Sequence, residues 1–274
     1  MTAVRAGLLA RASRLALAGM AALAVAACGA DPAPAPPAIP TPRVIDGVVI
    51  STANDVCCYR YRVRLHANAD LIDTSRAPAG LDLDEFRIDL VMEGERVNPD
   101  RERTVATTDL GYFQTVRETV IIQGKVWTRE GNGIWREQLP IATPEDFLGQ
   151  DVALSPSVIL GGGSEEQLRR VVSVLGGTPS TVETVNGRQA RHYMLDAAAV
   201  NRMFLPEEST IPGMLTPHDM MLHLWGDVET GLAIRVLLVA ASERNPEAFV
   251  LEMDLFDLND PTIEVTPPPG VAAP

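Results

Sequence analysis

The feature that most constrains this chain is a two-residue hydrophobic period that recurs from about Val44 to Val265. Tyr59, Tyr61, Val63 and Leu65 alternate with Arg60, Arg62 and Arg64, and Phe86, Ile88, Leu90 and Met92 alternate with Arg87, Asp89 and Glu93. Near the C-terminus, Phe249, Leu251, Met253 and Leu255 alternate with Val250, Glu252 and Asp254. Successive strand side chains point to opposite faces, so each run has one dry and one largely wet face, as antiparallel sheet requires. Weaker strands are expected over 104–108, 117–123, 125–130, 134–139, 181–185, 188–195, 219–225 and 232–240. Asn186-Gly187 between two of these marks a hairpin, because a type I′ turn needs positive φ at both central residues.

Helices are few and central. Ser164 and Gln167 make a capping-box pattern ahead of Leu168, Val171, Val172 and Leu175, and Gly176-Gly177 stops the helix. Asp196 is placed to cap a second helix over 197–205, with Val200, Met203 and Phe204 on one side, and 144–148 is expected to form a single turn. The expected fold class is α+β and mainly β. Nine or more strands need their apolar face covered, and two or three short helices cover only part of it. The remainder is closed by curling of the sheet or left as a cavity.

Charge narrows the function. Lys+Arg total 23 against Asp+Glu 36, and net charge falls from −13 to −16 if the first 27 residues, with Arg5, Arg11 and Arg14, are removed. Such a surface repels phosphate backbones and anionic headgroups, which argues against nucleic-acid binding and polybasic membrane docking. Lys125 is the only lysine, so lysine chemistry would rest on one residue.

Residues 1–27 have the layout of a secretory signal peptide: three arginines, an apolar stretch from Leu15 to Val25, then small residues. The end, Val25-Ala26-Ala27-Cys28, resembles the lipobox of bacterial lipoprotein precursors, which implies that Cys28 becomes the acylated first residue of the mature chain. The apolar run is too short to span about 30 Å of hydrocarbon. Residues 28–43 are rich in Pro and Ala and read as an extended tether, holding a domain over 44–265 about 40 Å from its lipid at ~3.1 Å per residue. Residues 266–274 form a second Pro-rich segment, expected to be flexible.

The segment from Leu222 to Arg235 carries Trp225, Asp227, Thr230, Gly231, Leu232 and Arg235. It resembles the W-x-D-x-x-T-G-L-x-x-R hairpin of LolA/LolB-like proteins and of LppX/LprG-type lipoproteins, and Val182 to Arg188 with His192-Tyr193 resembles their preceding hairpin. The resemblance implies a strongly curved antiparallel half-barrel, with the helices over its concave face and a hydrophobic cavity between. It further implies a lipid-anchored, extracytoplasmic protein of the cell membrane or outer envelope that carries lipid or acyl chains. No cofactor is implied. On that basis Phe86, Ile88, Leu90, Met92, Leu168, Val172, Met203, Phe204, Leu251, Met253 and Leu255 would line the cavity. The same residues also make a sensible packed core, and only a void distinguishes the two. The alternative function is a non-transporting envelope sensor or protein-interaction module on the same fold.

Residues with the spacing of reactive sites are few. Cys57-Cys58 could form a vicinal disulfide, remain thiols or bridge two chains, but adjacent Cα atoms about 3.8 Å apart lie below the usual disulfide range. His66, His192, His218 and His223 make no metal-binding motif. Gly161-Gly162-Gly163 lacks the lysine of a phosphate loop and leads into Glu165-Glu166, which occupy the field a phosphate would use. Arg60, Arg62 and Arg64 are expected to pair with acids on neighbouring strands. With no nucleophile–base pair or metal constellation, an enzyme is not expected.

Overall fold

A computed structural model gives the structure of the protein and describes residues 42–68, 87–111, 113–138, 156, 160, 165–204 and 219–271. The expected signal peptide, Cys28, the start of the tether, Phe86, the turn at 144–148, Gly161 to Gly163, Ser164 and His218 lie outside these residues, as does the side chain of Phe204.

The first element is a short hairpin, β1 (Arg43–Ile45) and β2 (Val48–Ile50), around Asp46-Gly47. Both turn residues have positive φ, 49° and 80°. This hairpin is not among the expected strands, although Asp46-Gly47 is the same kind of turn signal as Asn186-Gly187. Strands of three residues are too short to show alternation.

Eleven further strands form one antiparallel sheet: β3 (Cys58–Asn68), β4 (Arg87–Val97), β5 (Arg101–Asp109), β6 (Gln114–Ile122), β7 (Lys125–Glu130), β8 (Arg136–Gln138), β9 (Ser180–Val185), β10 (Arg188–Asp196), β11 (Asp219–Asp227), β12 (Ala233–Ala241) and β13 (Phe249–Phe256). The order is β8-β7-β6-β5-β4-β3-β13-β12-β11-β10-β9. The chain therefore steps outward from β3 to β8, re-enters at the opposite end as β9, and steps back until β13 lies beside β3. The sheet is not closed into a barrel. Two complete α-helices are described, α1 (Glu165–Gly176) and α2 (Ala197–Phe204).

Register turns the alternation into a core. Leu90, Leu65, Leu251, Leu238, Leu222 and Leu195 are successive cross-strand partners over six strands, and Met92, Val63, Met253, Val236, Leu224 and Tyr193 form the next row. Each fully buried member is worth about 1.5–3 kcal/mol relative to exposure. Tyr61 continues the pattern by lying over Gly94, where a Cβ would meet its ring at 2.4 Å. Its hydroxyl donates to Glu102 Oε1 at 2.6 Å and pairs with Thr104 Oγ1 at 2.7 Å. The wet face also behaves as the pattern implies. Arg62 pairs with Glu93 at 2.6 Å, Arg64 with Glu252 at 3.2 Å, and Arg60 with Asp257 at 3.0 Å.

The helices pack on the apolar face, with Leu175 of α1 and Ala199, Val200 and Met203 of α2 in the same cluster as Tyr193, Leu195 and Leu222. Asp196 caps α2 as expected, accepting the Ala199 N–H at 2.8 Å. On the other face, Val120, Ile122 and Trp127 pack with Val265, Val97, Trp135 and Val271. Within the segment after 265, Pro268 is buried and Val271 packs against that cluster, beside Trp127.

Candidate functional site

The β1–β2 hairpin is held to the sheet by the turn between β11 and β12. Asp227 is 3% exposed, and its Oδ1 accepts the Thr230 N–H and the Thr230 hydroxyl, each at 2.8 Å. Arg188, across the hairpin, donates to both carboxylate oxygens. Burial works against the charge of Asp227, but the hydrogen bonds from Arg188 and Thr230 prevail and hold its pKa below the ordinary carboxylate value. The turn so fixed presents its carbonyls to the hairpin: Ser51 Oγ donates to Thr230 O at 2.6 Å, and Ser51 bridges Leu232. Gly231 has φ +69°, and a Cβ there would lie 2.2 Å from Val49 O. Only glycine lets β2 approach this closely.

The pinned hairpin, α1 and the β9–β11 end of the sheet enclose a cavity of about 430 Å³. Its walls are mixed: Val48 and Ile50 from β2, Leu168, Val171 and Leu175 from α1, and Leu224 from the sheet supply the aliphatic surface. Tyr193 and Met203 add to the lining, and Ser51, Thr52, Gln167, Thr178, Ser180, Arg191 and Asp227 supply polar groups. Thr178 closes the end of α1, its N–H on Leu175 O at 3.2 Å and its hydroxyl on Val174 O at 2.8 Å. Burial raises the pKa of the Tyr193 hydroxyl, against the opposing effects of Arg191 and of a hydrogen bond with Ser180.

This is not where most of the expected wall residues lie. Of them, Leu168 and Met203 line the cavity. Leu90, Met92, Met253 and Leu255 are instead packed into the core, at 6%, 0%, 0% and 1% exposure, in one buried cluster with side chains of neighbouring strands. Val172 lies in a cluster with Ile50 and Leu168, Leu251 is half-buried against the core, and Ile88 is half-buried on β4. The remaining lining, from Val48 to Thr52 and at Thr178, Ser180, Arg191 and Tyr193, is missed by sequence reasoning; the Asp46-Gly47 turn was the available signal.

The hairpin motif divides between two roles. Asp227, Gly231 and the buried Leu232 build the turn under β2. Trp225 and Arg235 do not line the cavity. Trp225 stacks on His192 with centroids 4.3 Å apart and donates to Glu183 Oε1, and Arg235 pairs with Asp254 at 2.6 Å. His192 Nε2 lies 3.0 Å from His223 Nδ1, and burial together with His192 lowers the pKa of His223.

Cys57 and Cys58 are free thiols, which corrects the vicinal-disulfide option. Cys58 is buried with its Sγ on Asp260 O at 3.2 Å, and burial, with the adjoining Cys57 thiol, pushes its pKa up to about 12. Among the described residues, no group of three or more His, Cys, Asp or Glu is placed to hold a metal ion. Glu165 and Glu166 pair with Arg169 and Arg170 on the exposed side of α1, at 2.6 and 3.0 Å.

Fold and site together define a mainly β protein with an open antiparallel sheet and, at one end, a cavity lined by both aliphatic and polar side chains. No protein-family model matches the chain, and no curated protein shows significant similarity to it. Among solved structures, a beta-barrel-like protein of domain of unknown function DUF1849 from Brucella abortus aligns over 74% of this chain and 99% of its own, at 9% identity and a TM-score of 0.20. That overlap carries no inference about ligand or activity. The resemblance to LppX/LprG-type lipoproteins has no family match behind it.

Proposed function

We propose that this chain binds the apolar part of a lipid or acylated molecule in the cavity between β2, α1 and the sheet. The cavity itself is the observation that carries the proposal. Its volume of about 430 Å³ falls in the range of about 300–1,000 Å³ common to small-molecule sites, and its lining joins a cluster of aliphatic side chains to polar groups that could hold the end of a ligand. Binding of this kind needs no covalent chemistry, because burying apolar surface is favourable at about 25 cal/mol per Å².

In this reading the eleven strands bend into a half-barrel with α1 and α2 over the concave face. The signal peptide is removed, Cys28 carries the lipid anchor and the Pro-rich segment is the tether, so the protein works outside the cytoplasm at a membrane surface and carries its ligand within the envelope. Native mass spectrometry of protein purified from a membrane-containing host tests the proposal. A co-purified lipid, lost on solvent extraction and rebound afterwards, is the expected result. Protein at its bare mass, with no lipid in the extract and no uptake of added lipid, refutes it and leaves a non-transporting interaction module.

A further inference from the structure

We infer that the ligand of this cavity is an amphiphile with a single oxyanion head, carboxylate or phosphate, and that Arg191 at the cavity's rim holds that head. The inference rests on the proposed role of the cavity and adds the chemistry of what it takes.

The lining residues carry two charges among the described residues, Asp227 and Arg191. Asp227 is already neutralised by Arg188 and held by Thr230, so it presents no free carboxylate to a ligand. Arg191 is different. It is exposed, and among the described residues no carboxylate lies within ion-pairing distance of it. By contrast, Arg60, Arg62 and Arg64 on β3 each reach an acid on a neighbouring element. The carbonyls of Val174 and Leu175 at the end of α1, the other natural acceptors beside the cavity, are taken by Thr178.

Register gives the head a place to sit. On β10, Arg191 and Tyr193 share a face, so the cation stands one step along the strand from a residue in the cavity wall. Its partner on β11 is Gly226, where a Cβ would meet nothing within 4 Å, so open space adjoins the arginine. On the β9 side its register partner is Val182, and Ser180, opposite Tyr193, belongs to the cavity lining further along the strand. An arginine stem can lie along apolar wall while its guanidinium stays at the water boundary and makes two parallel, charge-assisted hydrogen bonds to an oxyanion. An acyl chain in the aliphatic interior would then place its head at the rim. A neutral head would leave Arg191 unmatched.

Titration calorimetry with decanoate, decyl phosphate and decanol tests this on the purified protein and on its Arg191→Gln and Arg191→Lys variants, after thermal melts show that the variants are folded. The two anions are expected to bind the unaltered protein at least tenfold more tightly than the alcohol. Arg191→Gln should abolish that preference and leave decanol affinity within twofold, and Arg191→Lys should restore part of it. Equal affinity for charged and neutral probes, or an anion preference that survives Arg191→Gln, overturns the inference while leaving apolar binding intact. Inorganic phosphate that binds at Arg191 as tightly as decyl phosphate overturns it in favour of a free-anion site. Failure of all three amphiphiles to bind overturns the cavity's proposed role as well.

Discussion

Replacing Gly231 with alanine isolates the contact on which the cavity depends, and Gly187 supplies the control. Both glycines have positive φ, +69° and +77°, and both lie in turns between strands. At Gly187 a Cβ meets nothing within 4 Å, so Gly187→Ala costs only the left-handed backbone strain, about 1–2 kcal/mol. At Gly231 the new Cβ would lie 2.2 Å from Val49 O, 2.4 Å from Val49 C and 2.6 Å from Ile50 N. These are backbone atoms, which no rotamer change can move. The hairpin must lift by more than an ångström, losing the Ser51 to Thr230 hydrogen bond of 2.6 Å, worth about 1 kcal/mol. It would also loosen Ile50, now 7% exposed against Leu168 and Val172, at a further cost of about 1 kcal/mol. Gly231→Ala should therefore destabilise by about 3–4 kcal/mol, roughly twice the control. Urea titrations followed by tryptophan fluorescence measure the difference, and amide hydrogen exchange should show protection lost at Val48 to Ser51 in Gly231→Ala alone. Equal destabilisation by the two variants, or unchanged exchange in β2, would refute the claim that this turn holds the cavity wall.

Two further outcomes are expected. Asp227 has a pKa below its unfolded value, so its contribution to stability is complete above about pH 4 and is lost as pH falls through the folded-state pKa; Asp227→Asn should lower stability at pH 7 and flatten its decline below about pH 4, and an unaltered acid-unfolding profile would count against the Arg188–Asp227 pairing. In a Cys28→Ser chain at pH 8, Cys57 should react with a thiol reagent while Cys58, buried with a pKa of about 12, reacts only on unfolding. Equal rates for the two sulfurs would show that Cys58 is accessible.

Much of the sheet was legible because its signal is local. Alternation at Tyr59 to Leu65 and Phe249 to Leu255 places side chains on faces without any knowledge of the partner strand, and Asn186-Gly187 announces its turn through backbone sterics. The helix cap at Asp196 follows from the same kind of short-range chemistry. The site was less accessible. Leu90, Met92, Met253 and Leu255 have the composition of a wall and the burial of a core, and no pattern within a strand reports whether something fills the space above it.

What the amino-acid order determined by itself is therefore the class of structure: mainly β, acidic, with few helices and one dry face on the strands where alternation is clearest. Those properties come from charge, periodicity and turn sterics, which act over a few residues. Tertiary structure alone decided where empty space remains. It brought Val49 against Gly231, residues 182 positions apart in the chain, and so set a hairpin across α1 and the end of the sheet. The same packing left Arg191 beside that space without a carboxylate among the described residues. Voids and unmatched charges are properties of packed neighbours, and packed neighbours exist only once the strands have found their order.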